Sequence, residues 1–212
     1  MEQSIKNIAV LVSGGGTNLQ ALIDAQNSGV ISSGRIVCVV SDKPGVYALE
    51  RAQLAGIAAH TIERKAFADR ADFDTAVADY MQSKDIDLVV TAGFMSILGE
   101  NFSKPYAGRV INVHPSLIPS FCGKGFYGLK VHQAALDYGV KLTGATVHIV
   151  NEITDGGPII LQKSVPILDG DTAEILQKRV MEQAEWDILP KAVELFCADR
   201  LVIDGRAVRV LD

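Results

Sequence analysis

Cysteine is scarce and scattered. Cys38, Cys122 and Cys197 are odd in number and far apart, with no C-x-x-C pair. That usage offers neither a disulfide framework nor a zinc site, and it is the usage of a reduced compartment. Long apolar runs are missing too, since none approaches the ~18–20 residues of a membrane helix. The apolar stretch at 8–12 is too short for a signal-peptide core and runs straight into serine and glycine. Positive charge is not in excess: 20 basic residues stand against 25 acidic ones, a net charge of −5. A basic stripe for nucleic acid or for an anionic membrane is therefore not expected, although a local cationic pocket for a small anion stays open. There is no internal repeat, linker or low-complexity segment. The expectation is one cytoplasmic domain spanning 1–212.

What is present is the composition of a globular protein: 212 residues, 48% hydrophobic, 21% charged and 6% aromatic. A chain of this length buries roughly 70% of its unfolded surface without a staple. Strand-like apolar runs at 7–13, 35–41, 57–62, 87–91 and 109–114 alternate with helical spacing at 18–26, 47–55 and 72–83, plus a short helix before 109. This rhythm predicts an α/β fold, a mostly parallel open sheet with helices on both faces. Farther on, the patterns predict a helix at 130–138 and strands at 145–150 and 158–167. A long helix is expected from Asp171 or Thr172 toward Cys197, with a kink or break at Pro190. The tail LVIDGRAVRV predicts a hairpin turning at Asp204 and Gly205.

Three places could carry chemistry. Ser13-Gly14-Gly15-Gly16-Thr17-Asn18 lies between a strand and a helix, where converging N–H groups and a helix N-terminus favour a phosphate. It lacks the G-K-[ST] of a P-loop and the G-x-G-x-x-G spacing, and a tight turn without a ligand is the plain alternative. Asn112 and His114 end a strand two residues apart, hence on one side of it. An amide and an imidazole there could grip a developing oxyanion and move protons, or simply cap the strand. Asp155, in NEITDGGP, could orient a histidine, though Asp before Gly is also ordinary turn chemistry. His60, His132 and His148 show no metal-ligand spacing, and nothing marks Cys122 as reactive.

Taken together, VLVSGGGTNLQALID, SDKPGVYALERAQLAGI, DLVVTAGFMSIL, VINVHPSLIPSF, GATVHIVNEITDGGPIILQ and KRVMEQAEWDILP resemble the folate-dependent formyltransferases, in the family's order and over nearly the whole chain. HPSLIP followed by DGGPIILQ is specific to formyl transfer on folate, and SGGGTNLQ selects the purine-synthesis branch. The resemblance implies a Rossmann-like N-terminal half. It also implies transfer of formyl from 10-formyltetrahydrofolate to the glycinamide amine of a phosphoribosyl substrate. Gly16, Thr17 and Asn18 would hold the phosphate and Glu185 the ribose hydroxyls. Met95, Ser96, Ile97 and Leu98, with Asn151, Glu152, Ile153, Thr154 and Asp155, would line the pterin pocket, and Arg70 would lie close to the folate. Asn112 and protonated His114 would stabilise the oxyanion, with Asp155 paired to His114 and favouring its charged form. The implied partners are small-molecule substrates, with no metal, nucleic acid or membrane, and a monomer or homodimer.

Three departures from the family pattern stand out. Ser96 replaces the arginine of FMRIL, the stretch 120–127 is longer than the usual P-x-Y-P-G turn, and one extra residue falls around 181–186. The rival readings are a formyltetrahydrofolate hydrolase and methionyl-tRNA formyltransferase, whose relatives carry additional domains, and a non-catalytic nucleotide-binding module. The last requires Asn112, His114 and Asp155 to lie far apart.

Overall fold

The computed structural model describes residues 4–211; residues 1–3 and 212 of the expected 1–212 domain lie outside the described residues. Strands β1 (Lys6–Val12), β2 (Gly34–Ser41), β3 (Ala58–Thr61), β4 (Leu88–Thr91), β5 (Val110–His114), β6 (Leu142–Ile149) and β7 (Ile159–Pro166) form one sheet in the order β3-β2-β1-β4-β5-β6-β7. The first five run parallel, whereas β6 pairs antiparallel to β5 and to β7. The connecting helices are α1 (Thr17–Asn27), α2 (Tyr47–Leu54), α3 (Arg70–Gln82), α4 (Glu100–Ser103), α5 (Leu129–Tyr138), α6 (Ala173–Val180) and α7 (Trp186–Cys197). Strands β8 (Leu201–Asp204) and β9 (Ala207–Val210) make a separate hairpin.

The unbroken apolar run of β1 follows from burial on both faces. Ile8, Val10 and Val12 join a core with Leu19, Leu22, Leu176 and Leu189, from α1, α6 and α7. Ala9 and Leu11, pointing the other way, pack with Phe73, Val77 and Met81 of α3 and with Phe102 of α4. Alternation carried along β5 puts Ile111 and Val113 in the first core. Asn112 and His114 therefore face the α3 and α4 side, at the carboxyl end of the strand.

The chain order reverses between β1 and β4, the place in an open α/β sheet where a crevice forms beyond the strand ends. The glycine loop after β1 and the segment 92–99 after β4 both emerge there. Toward β6, the same face is covered by the segment after β5. Thr146 gives its hydroxyl proton to the Ser116 carbonyl at 2.7 Å and accepts from Ile118 N–H at 3.1 Å.

Two local expectations are corrected. Asp204 pairs with Ala207, so the hairpin turn is Gly205 and Arg206, one residue later than the Asp-Gly pattern predicts; glycine takes the first turn position with φ +58°. Pro190 does not break its helix, because α7 runs through it. The irregularity lies just before, where Met181–Glu185 forms a π turn joining α6 to α7. A π turn takes up one residue within a continuous helix, which accounts for the extra residue there.

Gly144 sits where β6 is hemmed in on two sides. A Cβ at this position would stand 2.0 Å from the Lys163 carbonyl oxygen and 2.9 Å from Leu117 Cδ2. Gly144→Ala is expected to destabilise the fold by about 1–3 kcal/mol, the usual cost of overpacking, read as a lower urea midpoint. An unchanged midpoint would mean that β6 and β7 spread there without strain.

Candidate active site

The site is built on one cross-strand row. Thr91 of β4 pairs with Asn112 of β5, which pairs in turn with His148 of β6. Paired residues share a face, so the three side chains meet. Thr91 donates its hydroxyl proton to Asn112 Oδ1 at 2.7 Å. His148 has Nδ1 3.0 Å from the Ile149 carbonyl, a contact that places the proton on Nδ1 and leaves Nε2 to accept from Asn112 Nδ2 at 3.2 Å. Asn112 thus keeps one amide N–H unspent, and the amide cannot flip without losing its bond to His148.

His114 lies two residues farther along β5 and is buried. Its Nε2 is 2.9 Å from the Phe121 carbonyl, and its Nδ1 is 3.5 Å from Asp155 Oδ2. Asp155 Oδ1 is also 3.7 Å from His148 Nε2. Asp155 comes from the loop between β6 and β7, where it adopts φ +55°, a left-handed conformation that Asp tolerates better than most residues. Gly157 lets this loop fold close, since a Cβ there would stand 1.7 Å from the Ile149 carbonyl oxygen. Asn112, His114 and Asp155 therefore converge, and His148, read from the sequence as an ordinary strand histidine, joins them.

Both ring nitrogens of His114 face acceptors, an arrangement that an imidazolium would satisfy fully. Burial nevertheless lowers its pKa below 6.5, outweighing the Asp155 carboxylate and the Phe121 carbonyl, which pull the other way. Asp155 favours the charged form, and desolvation opposes it as the larger effect. For Asp155, burial alone would raise the carboxyl, yet the His148 and His114 rings in their charged forms and a 2.8 Å hydrogen bond from Gly123 N–H together hold it below 3.8. The long stretch at 120–127 thus folds onto the site, giving a carbonyl to His114 and an N–H to Asp155.

At the other end of the crevice, Gly16 takes φ +72° at the head of α1, with Thr17 exposed and Asn18 buried. The Thr17 hydroxyl lies 3.8 Å from Met181 Sδ. Asn18 donates an amide proton to Glu185 Oε2 at 2.6 Å, while its own Oδ1 is buried without a partner. Glu185 ends the π turn, so the extra residue does not displace it from Asn18. A cavity of about 570 Å³ adjoins this end, lined by Thr17, Gln20, Arg51 and Trp186 among others.

The segments expected to line a pterin pocket expose apolar side chains: Met95 is 48% exposed, Ile97 64% and Ile153 63%. Leu98 packs against the α3-side core. Ser96 turns its hydroxyl to Asp42 Oδ2 at 2.6 Å, an engagement that no sequence pattern signalled. Met95 N–H donates to the Ser13 hydroxyl at 2.8 Å, tying this segment to the glycine loop. Arg70, at the start of α3, lies 3.7 Å from Asp74, which accepts from Gly99 N–H at 2.8 Å. Arg70 is thus next to the end of the 95–98 segment. Asn151 closes its own loop, accepting from Ile153 N–H at 3.0 Å, and Glu152 and Thr154 are exposed beside it. Among the described residues, no group of three or more His, Cys, Asp or Glu side chains is placed to hold a metal ion. No helix among them is long and apolar enough to cross a membrane.

Fold and site define an α/β enzyme with an acid–base cluster at the carboxyl edge of a Rossmann-like sheet. The family model described as formyl transferase matches residues 6–193, and the chain belongs to that family. It is 43% identical to a phosphoribosylglycinamide formyltransferase of Haemophilus influenzae, over 96% of each chain. The structure is similar to a glycinamide ribonucleotide transformylase of Symbiobacterium toebii, with TM-score 0.93 and 44% identity, covering 100% of this chain and 96% of that one. A formyltetrahydrofolate deformylase of Pseudomonas syringae is also similar, with TM-score 0.87 at 28% identity, covering 99% of this chain but 67% of that one.

Glu185 gives the site a signature in stability. Its carboxyl is buried, and burial pushes the pKa from 4.5 up to about 7 against the opposing Asn18 amide. The folded chain holds this proton where the unfolded chain has lost it. Stability is therefore full below pH 4.5 and falls as pH rises to about 7. The total loss is on the order of 3 kcal/mol. Glu185→Gln should flatten urea midpoints measured across that pH window; a variant as pH-dependent as the parent would show that Glu185 is ionised in the fold without cost.

Proposed function

We propose that the chain transfers the formyl group of 10-formyltetrahydrofolate to the amine of glycinamide ribonucleotide, in de novo purine biosynthesis. The observation that carries the reading is the convergence of Asn112, His114 and Asp155 on one cleft, with Asn112 held from both neighbouring strands. A binding module retaining only the glycine loop has no use for that cluster.

Two features fit the substrates. The orphaned Asn18 Oδ1, beside Glu185, suits a hydroxyl donor such as a ribose. The exposed Met95, Ile97 and Ile153 suit the faces of a flat ring. In this reading Gly16, Thr17 and Asn18 hold the phosphate. Met95, Ile97, Leu98 and the Asn151–Asp155 loop hold the folate, Ser96 contributes only its backbone, and Arg70 lies close by. The folate supplies the formyl group.

The residues then act in sequence. As the glycinamide amine adds to the formyl carbon, the formyl oxygen gains negative charge and the nitrogen must shed a proton. The free N–H of Asn112 donates to that oxygen. His114 takes the amine proton at Nε2, directly or through one water, once the 120–127 segment frees that nitrogen and the ring proton rests on Nδ1 toward Asp155. The imidazolium so formed pairs with Asp155 and adds its charge to the stabilisation of the oxyanion. Returning the proton to the departing folate nitrogen completes the exchange of one C–N bond for another.

The test is a paired assay following folate product with and without glycinamide ribonucleotide. Product only in its presence is expected; product in its absence would make the protein a hydrolase, the reading favoured by the deformylase likeness. Asn112→Ala should lower kcat by about 10²–10³ with little change in either KM, the usual effect of losing one oxyanion donor. An unchanged kcat would remove Asn112 from that role.

A further inference from the structure

The glycine loop is strapped from outside by the first turns of α2. Ala48 N–H donates to the Gly14 carbonyl at 3.1 Å, and Arg51 Nε–H donates to the Gly15 carbonyl at 2.8 Å. The same guanidinium gives an Nη1–H to Gln20 Oε1 at 2.9 Å and lies over the Tyr47 ring, 4.7 Å from its centroid. Its plane is therefore fixed from three directions. The fit is close: a Cβ on Gly16 would stand 2.7 Å from Ala48 Cβ.

A trans peptide points its N–H opposite to its C=O. Drawing the Gly14 and Gly15 carbonyls toward α2 turns the N–H groups of Gly15 and Gly16 away from α2. A nest of successive N–H groups, with a guanidinium charge behind it, attracts an anion. The N–H direction is set by the bonds on the far side of each peptide, and of these two bonds one comes from a side chain.

We propose that Arg51 is a positioning residue for the substrate phosphate: it grips the Gly15 carbonyl and so aims the Gly16 N–H at the anion. This rests on the reading above that the glycine loop takes the phosphate of the ribonucleotide. Arg51 does not itself hold the phosphate, and its effect is passed through the peptide. The planar fork matters as much as the charge, because it must reach Gly15 and Gln20 together.

Calorimetric titration with ribose 5-phosphate, which needs no formyl transfer, tests this beside steady-state kinetics. Arg51→Ala should weaken ribose 5-phosphate and raise the KM for glycinamide ribonucleotide by about tenfold or more, the effect of losing a charge-assisted hydrogen bond. The kcat and the KM for 10-formyltetrahydrofolate should stay unchanged. Arg51→Lys should recover only part of the loss. Full recovery in Arg51→Lys would overturn the proposal in favour of simple charge attraction. So would an Arg51→Ala protein with normal binding, or one in which kcat and both KM values change together with a lowered Tm. A parent protein that binds ribose 5-phosphate but transfers no formyl would sink the transferase reading and leave the Arg51 comparison standing.

Discussion

The pair of hydrogen bonds that hold the Asn112 side chain, one from Thr91 and one to His148, is the constraint on which the site depends. A side-chain amide on an exposed strand end could rotate and present either its oxygen or its nitrogen. Here β4 takes the oxygen and β6 takes one N–H, so the remaining donor has one direction. The antiparallel arrival of β6 makes this possible, because it sets His148 beside Asn112 and lets the following loop return Asp155 to the same place.

Desolvation acts on three ionisable groups in the crevice, with different outcomes. It wins at Glu185, where the strong partner among the described residues is a neutral amide, and at His114, where the carboxylate and carbonyl oppose it without prevailing. It loses at Asp155, which has two imidazoles and a backbone N–H around it. The number and charge of partners decide each case, since all three side chains are largely withdrawn from water. The result is a cleft with a carboxyl pulled down beside an imidazole pulled down at one end, and a carboxyl poised near neutrality at the other.

Much of this was legible in the residues themselves. The apolar run of β1, the alternation in β5, the glycine loop and the loop carrying Asp155 are local patterns, and each produced the element it predicted. The strand at 145–150 was recognised, but its direction and register were not. Those are long-range pairings that no local period encodes, and His148 became part of the site only through them. The same limit hid the strap between Arg51 and Gly15, the bond between Ser96 and Asp42, and the contact of the Phe121 carbonyl with His114. The extra residue before Pro190 could be counted in the sequence; that the helix would take it up as a π turn, keeping Glu185 against Asn18, is a property of packing against α1 and β6.

The row Thr91–Asn112–His148 is anchored in strands, while the connection between β5 and β6 meets the site at His114 and Asp155. A strand residue cannot slip by one without its side chain changing faces. The connection from Pro115 to Lys141 has no such phase to keep. Its length, its glycines and its aromatic content can drift with little effect on where the amide and imidazole stand. The scaffold thus separates two kinds of variation: inside the strands an insertion would dismantle the site, and between them it would change the cover and its bonds to His114 and Asp155. The long 120–127 stretch is an instance of the second kind.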